Sequence, residues 1–325
     1  NAIKEYKVFL YKNLSNELGG VLQEGISTYL QAYEQENGGL FGEFGFIPRE
    51  STEISLITFF LKQWILDSLP QWMASNYANP NIDSHFQGLK FIEAADWPGL
   101  PNEGAVILSE ENAETVKISG NYHKAKGVQT NGEDFAYRLT GHYAPPGEIV
   151  TLQFPESIVN QGVSVLVGIH YWDASSMVPY HRFNRMGLFY PISTTTIKVL
   201  NPLGGSILVR VPDESDLGEF DVKIYGSIKT PYFSVKNNNS TTDSEWESHL
   251  ENPHVPWVEL ESDNVQLVAP KALFDKGLLS AQQILNQWEG ILKSFSLITG
   301  REQRRTKPYM FFAERQYVVG GTAAP

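Results

Sequence analysis

Hydrophobic residues change their period twice along the chain. From Asn1 to about Tyr77 they recur at three- and four-residue spacing. Ile3, Tyr6, Phe9 and Leu10 form one stripe, and Leu22, Ile26, Tyr29, Leu30 and Tyr33 form a second after Gly19-Gly20. Gly38-Gly39 ends the second stripe. A third follows Pro48, with Ser51 placed as N-cap and Glu53 in the first turn, and runs through Ile54, Ile57, Leu61 and Trp64. Three such helices predict a small bundle.

After Asn79-Pro80 and Trp97-Pro98-Gly99 the period shortens to two. Val150, Leu152 and Phe154 fall on one face with Thr151 and Gln153 opposite, and Val163, Val165, Val167 and Ile169 alternate with Ser164, Leu166 and Gly168. Ile197 and Val199, then Ile207, Val209 and Val211, then Phe220, Val222 and Ile224 continue the series. Turn signals such as Pro145-Pro146-Gly147 and Pro202-Leu203-Gly204-Gly205 separate these runs, which predicts an antiparallel sandwich. The polar run Asn237 to Ser244 reads as an exposed loop.

From about Pro253 the pattern changes again. Trp257 to Leu260 and Val265 to Val268 read as short strands, followed by a strong helix. Ser280 and Gln283 fit capping-box spacing, Ile284, Leu285, Trp288, Ile291, Leu292 and Phe295 line one face, and Gly300 closes it. Tyr309 to Phe312 is a further strand, so strand, helix and strand open an α/β unit. The predicted fold is multidomain α + β: an N-terminal helical bundle over 1–98, an antiparallel β-sandwich over 99–252, and the beginning of an incomplete α/β domain over 253–325.

Composition narrows the class. With 42% hydrophobic and 19% charged residues, and 7 Trp, 15 Tyr and 18 Phe, the chain has the material for a packed core. Its net charge of −12 repels phosphate backbones and anionic headgroups, which argues against a nucleic-acid partner. With no cysteine, disulfides, thiolate zinc sites and cysteine nucleophiles are excluded, and any metal would need His, Asp or Glu. The most apolar stretch, Ile54 to Leu66, is interrupted by Lys62 and Gln63 and is about two-thirds of the roughly 20 residues that span a bilayer, so no membrane span is expected. The chain opens Asn1-Ala2-Ile3-Lys4 without methionine or an apolar leader, and reads as a mature product or a cut piece.

No His-Glu-x-x-His, Gly-x-x-x-x-Gly-Lys or Gly-x-Ser-x-Gly run occurs. Glu247, His249, Glu251 and His254 gather ligand chemistry within eight residues, yet Pro253 prevents a regular helix from aligning both imidazoles, and a solvated linker is the competing reading. His170, Trp172 and Asp173 stand at the end of an apolar strand, with His181 and Arg182 nearby. An aromatic with a carboxylate there suits a sugar or peptide, and an aromatic-rich strand end capping the core is the alternative. Glu110 and Glu111 are adjacent carboxylates in a polar loop with nothing to separate their pKa values. Arg301, Arg304, Arg305 and Lys307 suit a helix C-terminus or an anion contact. No catalytic or metal-ligating residue is assigned.

The order of the sandwich segments carries a resemblance. Tyr137-Arg-Leu-Thr-Gly-His-Tyr-Ala-Pro-Pro-Gly-Glu148, Val165-Leu-Val-Gly-Ile-His-Tyr-Trp-Asp173, Asn201-Pro-Leu-Gly-Gly-Ser-Ile-Leu-Val209 and Pro256-Trp-Val-Glu-Leu260 resemble, in that order, segments of the enhancin-like zinc metallopeptidases. That family includes secreted and surface-anchored bacterial mucinases and immunomodulating glycoprotein proteases. Trp288 and Phe312-Ala-Glu-Arg-Gln316 extend the resemblance into the opening of the metallopeptidase domain. The resemblance implies a zinc site of His and Glu on a His-Glu-x-x-His helix beyond Pro325, with no cofactor in this chain. It implies a bacterial secreted or cell-surface protein whose parent cleaves mucin-type glycoproteins, with this chain as its N-terminal accessory region.

Two other readings stay open. One is a non-catalytic adhesion module that holds a glycan or host protein on the sandwich. The other is an independent hydrolase built from His170, Asp173 and His181.

Overall fold

The computed structural model describes residues 21–41, 47, 53–79, 82–124, 134–177, 179–236, 239–251, 255–275, 277, 280–300 and 307–315. The expected helix around Ile3 to Leu10, the Pro48 and Ser51 start signals, His254 and the Arg301, Arg304 and Arg305 cluster lie outside these residues.

Two long helices come first, α1 (Val21–Asn37) and α2 (Glu53–Ala74). The sandwich follows. One sheet, in the order β1-β8-β3-β6, uses β1 (Glu114–Tyr122), β3 (Val150–Gln153), β6 (Thr196–Val199) and β8 (Ser215–Tyr225). The second, β5-β4-β7-β2-β9, uses β2 (Phe135–Ala144), β4 (Ser164–Val167), β5 (Leu188–Pro191), β7 (Gly205–Pro212) and β9 (Ile228–Lys229). Every pairing within these two sheets is antiparallel, as the period-two pattern requires.

The third sheet has the order β11-β10-β12-β13-β14 and comprises β10 (Tyr232–Lys236), β11 (Asn239–Ser240), β12 (Trp257–Glu261), β13 (Val265–Pro270) and β14 (Tyr309–Phe312). It is mixed: β10 runs parallel to β12 and β13 parallel to β14, while β12 and β13 are antiparallel. The parallel β13–β14 step needs a crossover. It is supplied by α6 (Ala281–Thr299), whose Ser280 cap accepts from the Gln283 N–H and whose Gly300 stop sits at φ 65°. Two shorter helices, α4 (Asp243–Glu251) and α5 (Ala272–Asp275), complete this part, with α3 (Ile82–Phe86) lying earlier in the chain.

Two expectations are corrected. The helices do not form a bundle with a core of their own. Leu30, Tyr33, Phe59, Trp64 and Leu66 belong to the same apolar cluster as Val150, Val165, Ile207 and Val222 of the sandwich. The reason lies in α2, whose buried set includes Lys62 and Gln63 beside its apolar residues, and each of them reaches a partner beyond the helix pair, Lys62 in addition to Glu34 of α1. Lys62 Nζ donates to Glu93 at 2.7 and 2.8 Å and to Glu34 at 2.6 Å, and Gln63 exchanges hydrogen bonds with the Arg185 backbone. Helix and sandwich are therefore one packed unit.

The second correction is that the polar run at 237–244 is not wholly a loop. Asn239–Ser240 pairs with β10, and Asp243 starts α4, capped by Thr242 and Glu245 in reciprocal hydrogen bonds. The third sheet thus draws on strands from Tyr232 onward, N-terminal to the expected break at 253.

Candidate functional site

The β5-β4-β7-β2-β9 sheet is buried on both faces, and this creates the joint that the candidate residues occupy. Val165, Val167, Ile207, Val209 and Val211 point into the sandwich core. Leu166, Leu208, Tyr137, Leu139 and Tyr143 point the other way, onto Trp257, Val268 and Met310 of the third sheet. The strand alternation thus feeds two cores from one sheet. At the end of β4 the alternation is broken by Gly168, whose φ of +91° is available to glycine at little cost, and a Cβ there would sit 3.0 Å from Asn201 Nδ2. The turn sends Ile169 to the third-sheet side and carries His170 with it.

His170 is 2% exposed. Its ring lies 5.1 Å from Trp97, 5.5 Å from Trp257 and 5.6 Å from Phe312, the last two edge-on. Burial pulls its pKa down to about 4, against the nearby Glu314 carboxylate, so the ring is neutral at pH 7. Nε2 lies 3.0 Å from the Ala313 carbonyl, which fixes the proton on Nε2 as the donor. A hydrolase built on this histidine would need that nitrogen for substrate, and the structure commits it to backbone instead.

The other expected residues face elsewhere. Trp172 is half-buried, and its carbonyl accepts from Arg182. Asp173 is exposed, accepts from the Ser175 N–H at 2.9 Å and pairs with Arg185 at 2.9 Å. Arg185 also forks onto Asp67 of α2, so Asp173 joins a contact that docks the helix. His181 is half-buried on the same loop. His170 turns into the joint while Asp173 turns away from it, so the two do not form one site.

Three groups in the joint carry charge or hydrogen bonds that no local sequence pattern announced. Arg182 is 1% exposed and grips the Glu314 carboxylate with two parallel bonds, Nε to Oε1 and Nη2 to Oε2, both 2.8 Å. Its remaining donors go to the Phe183, Asn184 and Trp172 carbonyls. Glu259, at the centre of β12, is fully buried and accepts from the Gly141 N–H at 3.0 Å, at a bulge of β2 where Gly141 has φ +72°. Burial pushes its carboxyl up to about 8, against that N–H, and nearby Glu261 adds to the rise. The Trp97-Pro98-Gly99 turn closes the joint, with Trp257 Nε1 donating to Pro98 O and Tyr143 OH donating to Gly99 O. The 132-residue separation of Arg182 and Glu314 explains why sequence alone could not join them. The signal for Glu259 was the Pro-Trp-x-Glu-Leu run, which marks the position without its role.

Among the described residues no three His, Asp or Glu side chains lie close enough to hold a metal ion. His249 Nδ1 of α4 donates to the Tyr232 carbonyl, 3.0 Å away, and Glu247 and Glu251 are on the same short helix. The donor set for zinc is thus absent from the described part of this chain. What the joint can do is mechanical: it excludes water and holds one sheet against another in a defined orientation.

Comparison with known proteins now bears on the two sheets separately. The family description "N-terminal domain of M60-like peptidases" matches residues 112–225, and "Peptidase M60, enhancin and enhancin-like" matches 226–325. The seam falls at the end of β8. The chain is 27% identical over 230 residues to TRPM8 channel-associated factor 3 of Rattus norvegicus, covering 71% of this chain and 24% of that protein. It is 28% identical over 214 residues to the TRPM8 channel-associated factor homolog of Xenopus laevis, covering 66% and 22%. The chain therefore spans about a quarter of the length of these relatives. Among solved structures, the IMPa metallopeptidase from Pseudomonas aeruginosa is 13% identical with a TM-score of 0.47, covering 91% of this chain and 37% of that one. The ZmpB metallopeptidase from Clostridium perfringens is 11% identical with a TM-score of 0.46, covering 64% and 46%. With two consecutive family domains meeting where the sandwich gives way to the third sheet, the chain belongs to the enhancin and enhancin-like M60 peptidase family.

Proposed function

We propose that this chain is the N-terminal accessory region, with the opening of the peptidase domain, of an exported zinc metallopeptidase that cleaves mucin-type glycoproteins. The observation that supports this is the joint itself. A sandwich matched by the family's N-terminal domain is fused through an apolar, hydrogen-bonded layer to a sheet matched by the peptidase domain. In such a protein zinc would supply Lewis-acid chemistry for peptide hydrolysis. The part this reading gives the chain is to bind and orient the peptidase sheet, which the apolar, hydrogen-bonded joint supports. Export and a bacterial surface or extracellular location belong to the same proposal. Among the described residues no helix is long and apolar enough to cross a membrane.

The test compares this chain alone with the longer protein that contains it, each incubated with zinc and an O-glycosylated mucin. The longer protein is expected to cut and to lose activity to a chelator, and the isolated chain to be inert. Robust cutting by the isolated chain would overturn the accessory assignment.

A second reading rests on the relatives. Rat and frog proteins named as channel-associated factors are 27% and 28% identical over 71% and 66% of this chain. On this reading the chain is a non-catalytic docking module for a protein or glycan. A longer protein that binds a glycoprotein without cutting it, with or without zinc, would favour this reading over the first.

A further inference from the structure

The residues that follow β14 are held from three directions at once. Ala313 keeps one strand bond, its N–H donating to Val268 O at 3.2 Å, while its carbonyl accepts from His170 of the sandwich loop. Glu314 is gripped by the Arg182 fork. Arg315 pairs with Asp96 at 2.7 Å, and its guanidinium lies 5.7 Å from the Trp97 ring and 6.0 Å from that of Phe41. Three consecutive residues just after β14 are thereby fastened to the sandwich and to the segment joining it to the helices.

The chemistry of the fastening is informative. Burying an ion pair seldom stabilises a fold more than apolar side chains of the same volume, because both charges must be stripped of water. What a two-bond guanidinium–carboxylate fork adds is direction, since both bonds are satisfied only in one relative orientation. Arg182 is itself held by three backbone carbonyls, so the fork cannot swing to follow Glu314. His170 packs on Trp97 of the joining segment and on Trp257 and Phe312 of the peptidase sheet, so its ring is held between the two sides. Arg182 is thus the rigid arm on the sandwich side, and the strand end must come to it.

We infer that Arg182, His170 and Asp96 are positioning residues that fix the Ala313–Arg315 segment, so that the sandwich sets the orientation in which the peptidase sheet's last strand is presented. This rests on the peptidase reading for its consequence in catalysis, but the clamp itself can be tested without any activity. It assigns the accessory domain a role in the rate of the reaction rather than in capturing substrate.

The experiment uses Glu314→Gln and Glu314→Ala, which leave Arg182 and its carbonyl partners in place. Hydrogen exchange of this chain is followed by mass spectrometry. Glu314→Ala is expected to speed exchange across Tyr309–Arg315 by about tenfold, Glu314→Gln by less, with β2, β4 and β7 unchanged. Unchanged exchange at 309–315 overturns the clamp. Equal acceleration in every strand overturns it too, because the pair would then serve global stability alone. In the longer protein, Glu314→Ala is expected to lower kcat by about tenfold with KM unchanged, since misplaced groups slow the chemical step without weakening binding. A raised KM with unchanged kcat overturns the positioning role. A longer wild-type protein without peptidase activity defeats the peptidase reading, while the exchange result still decides the clamp.

Discussion

The two faces of the β5-β4-β7-β2-β9 sheet are built from the same strands by different chemistry. The face toward the sandwich partner is mostly aliphatic, with Ala136, Val165, Val167, Ile207, Val209 and Val211. The face toward the third sheet carries Tyr137, Tyr143 and Leu208 against Trp257, and around them His170, Glu259 and the Arg182–Glu314 pair. Aliphatic burial is strong and non-directional, so it makes the sandwich cohere without fixing much beyond density. Aromatic edges and hydrogen bonds have preferred angles, so the outer face fixes how two domains meet. Stability and orientation have been placed on opposite sides of one sheet.

The comparison can be broken most severely by Arg182→Ala. It leaves the Glu314 carboxylate in the joint without its fork, and we expect a loss of about 4 kcal/mol, within the usual range for a broken buried pair, read as lost exchange protection across 309–315 and not across the sandwich strands. Next is Ile207→Ala on the aliphatic face, expected to cost about 3 kcal/mol through lost burial and the cavity left behind. If the faces differ as argued, Ile207→Ala lowers the stability of the sandwich while leaving exchange at 309–315 no faster than its other strands.

Smaller effects come from the titrating groups of the outer face. Glu259 is neutral in the fold up to about 8, whereas unfolded glutamate ionises near 4.5. Between those values the folded chain holds the extra proton, so its contribution is complete below about pH 4.5 and is lost as pH rises toward 8. Glu259→Gln keeps an acceptor for the Gly141 N–H, and unfolding measured from pH 5 to 8 should show a flatter alkaline decline than wild type. His170 behaves oppositely, with a folded pKa near 4 against 6.5 unfolded. Its contribution is complete above about pH 6.5 and fades as pH falls toward 4, and His170→Gln should remove part of that acid-side slope. The smallest effect belongs to Lys117, paired with Asp221 on the exposed β1–β8 surface, where Lys117→Ala should change stability by less than about 0.5 kcal/mol.

Much of this architecture could be read before any coordinates. The strands from Val150 to Ile224, the Ser280 cap, the Gly300 stop and the Tyr309–Phe312 strand follow from local pattern, because each is decided by residues within a few positions of one another. The failures are instructive. Val163 to Ile169 reads as an alternating strand with one buried face, but Ser164 and Leu166 are buried as well, since a second layer covers the other side. The α6 stripe is only partly covered: Leu285 and Leu292 are buried, while Ile291 and Phe295 are 45% and 58% exposed. Helix α4 has no fully buried residue, and its apolar stripe is only Trp246 and Leu250 against the third-sheet core, too brief to stand out from the polar run before it. Of the joint, His170 stood out in the sequence only as a strand-end histidine. Its meaning depended on Ala313 and Glu314, more than 130 residues away.

Trp257 gives the joint an optical signature. Its indole is 2% exposed, donates to Pro98 O, and stands 5.2 Å edge-on from Trp97 with the His170 ring 5.5 Å away. An indole in that setting emits at the blue end of its range, and an imidazolium formed beside it quenches. The difference spectrum between the native chain and Trp257→Phe is therefore a built-in gauge of closure: a red shift reports water entering between the domains, and dimming in acid reports the proton reaching His170.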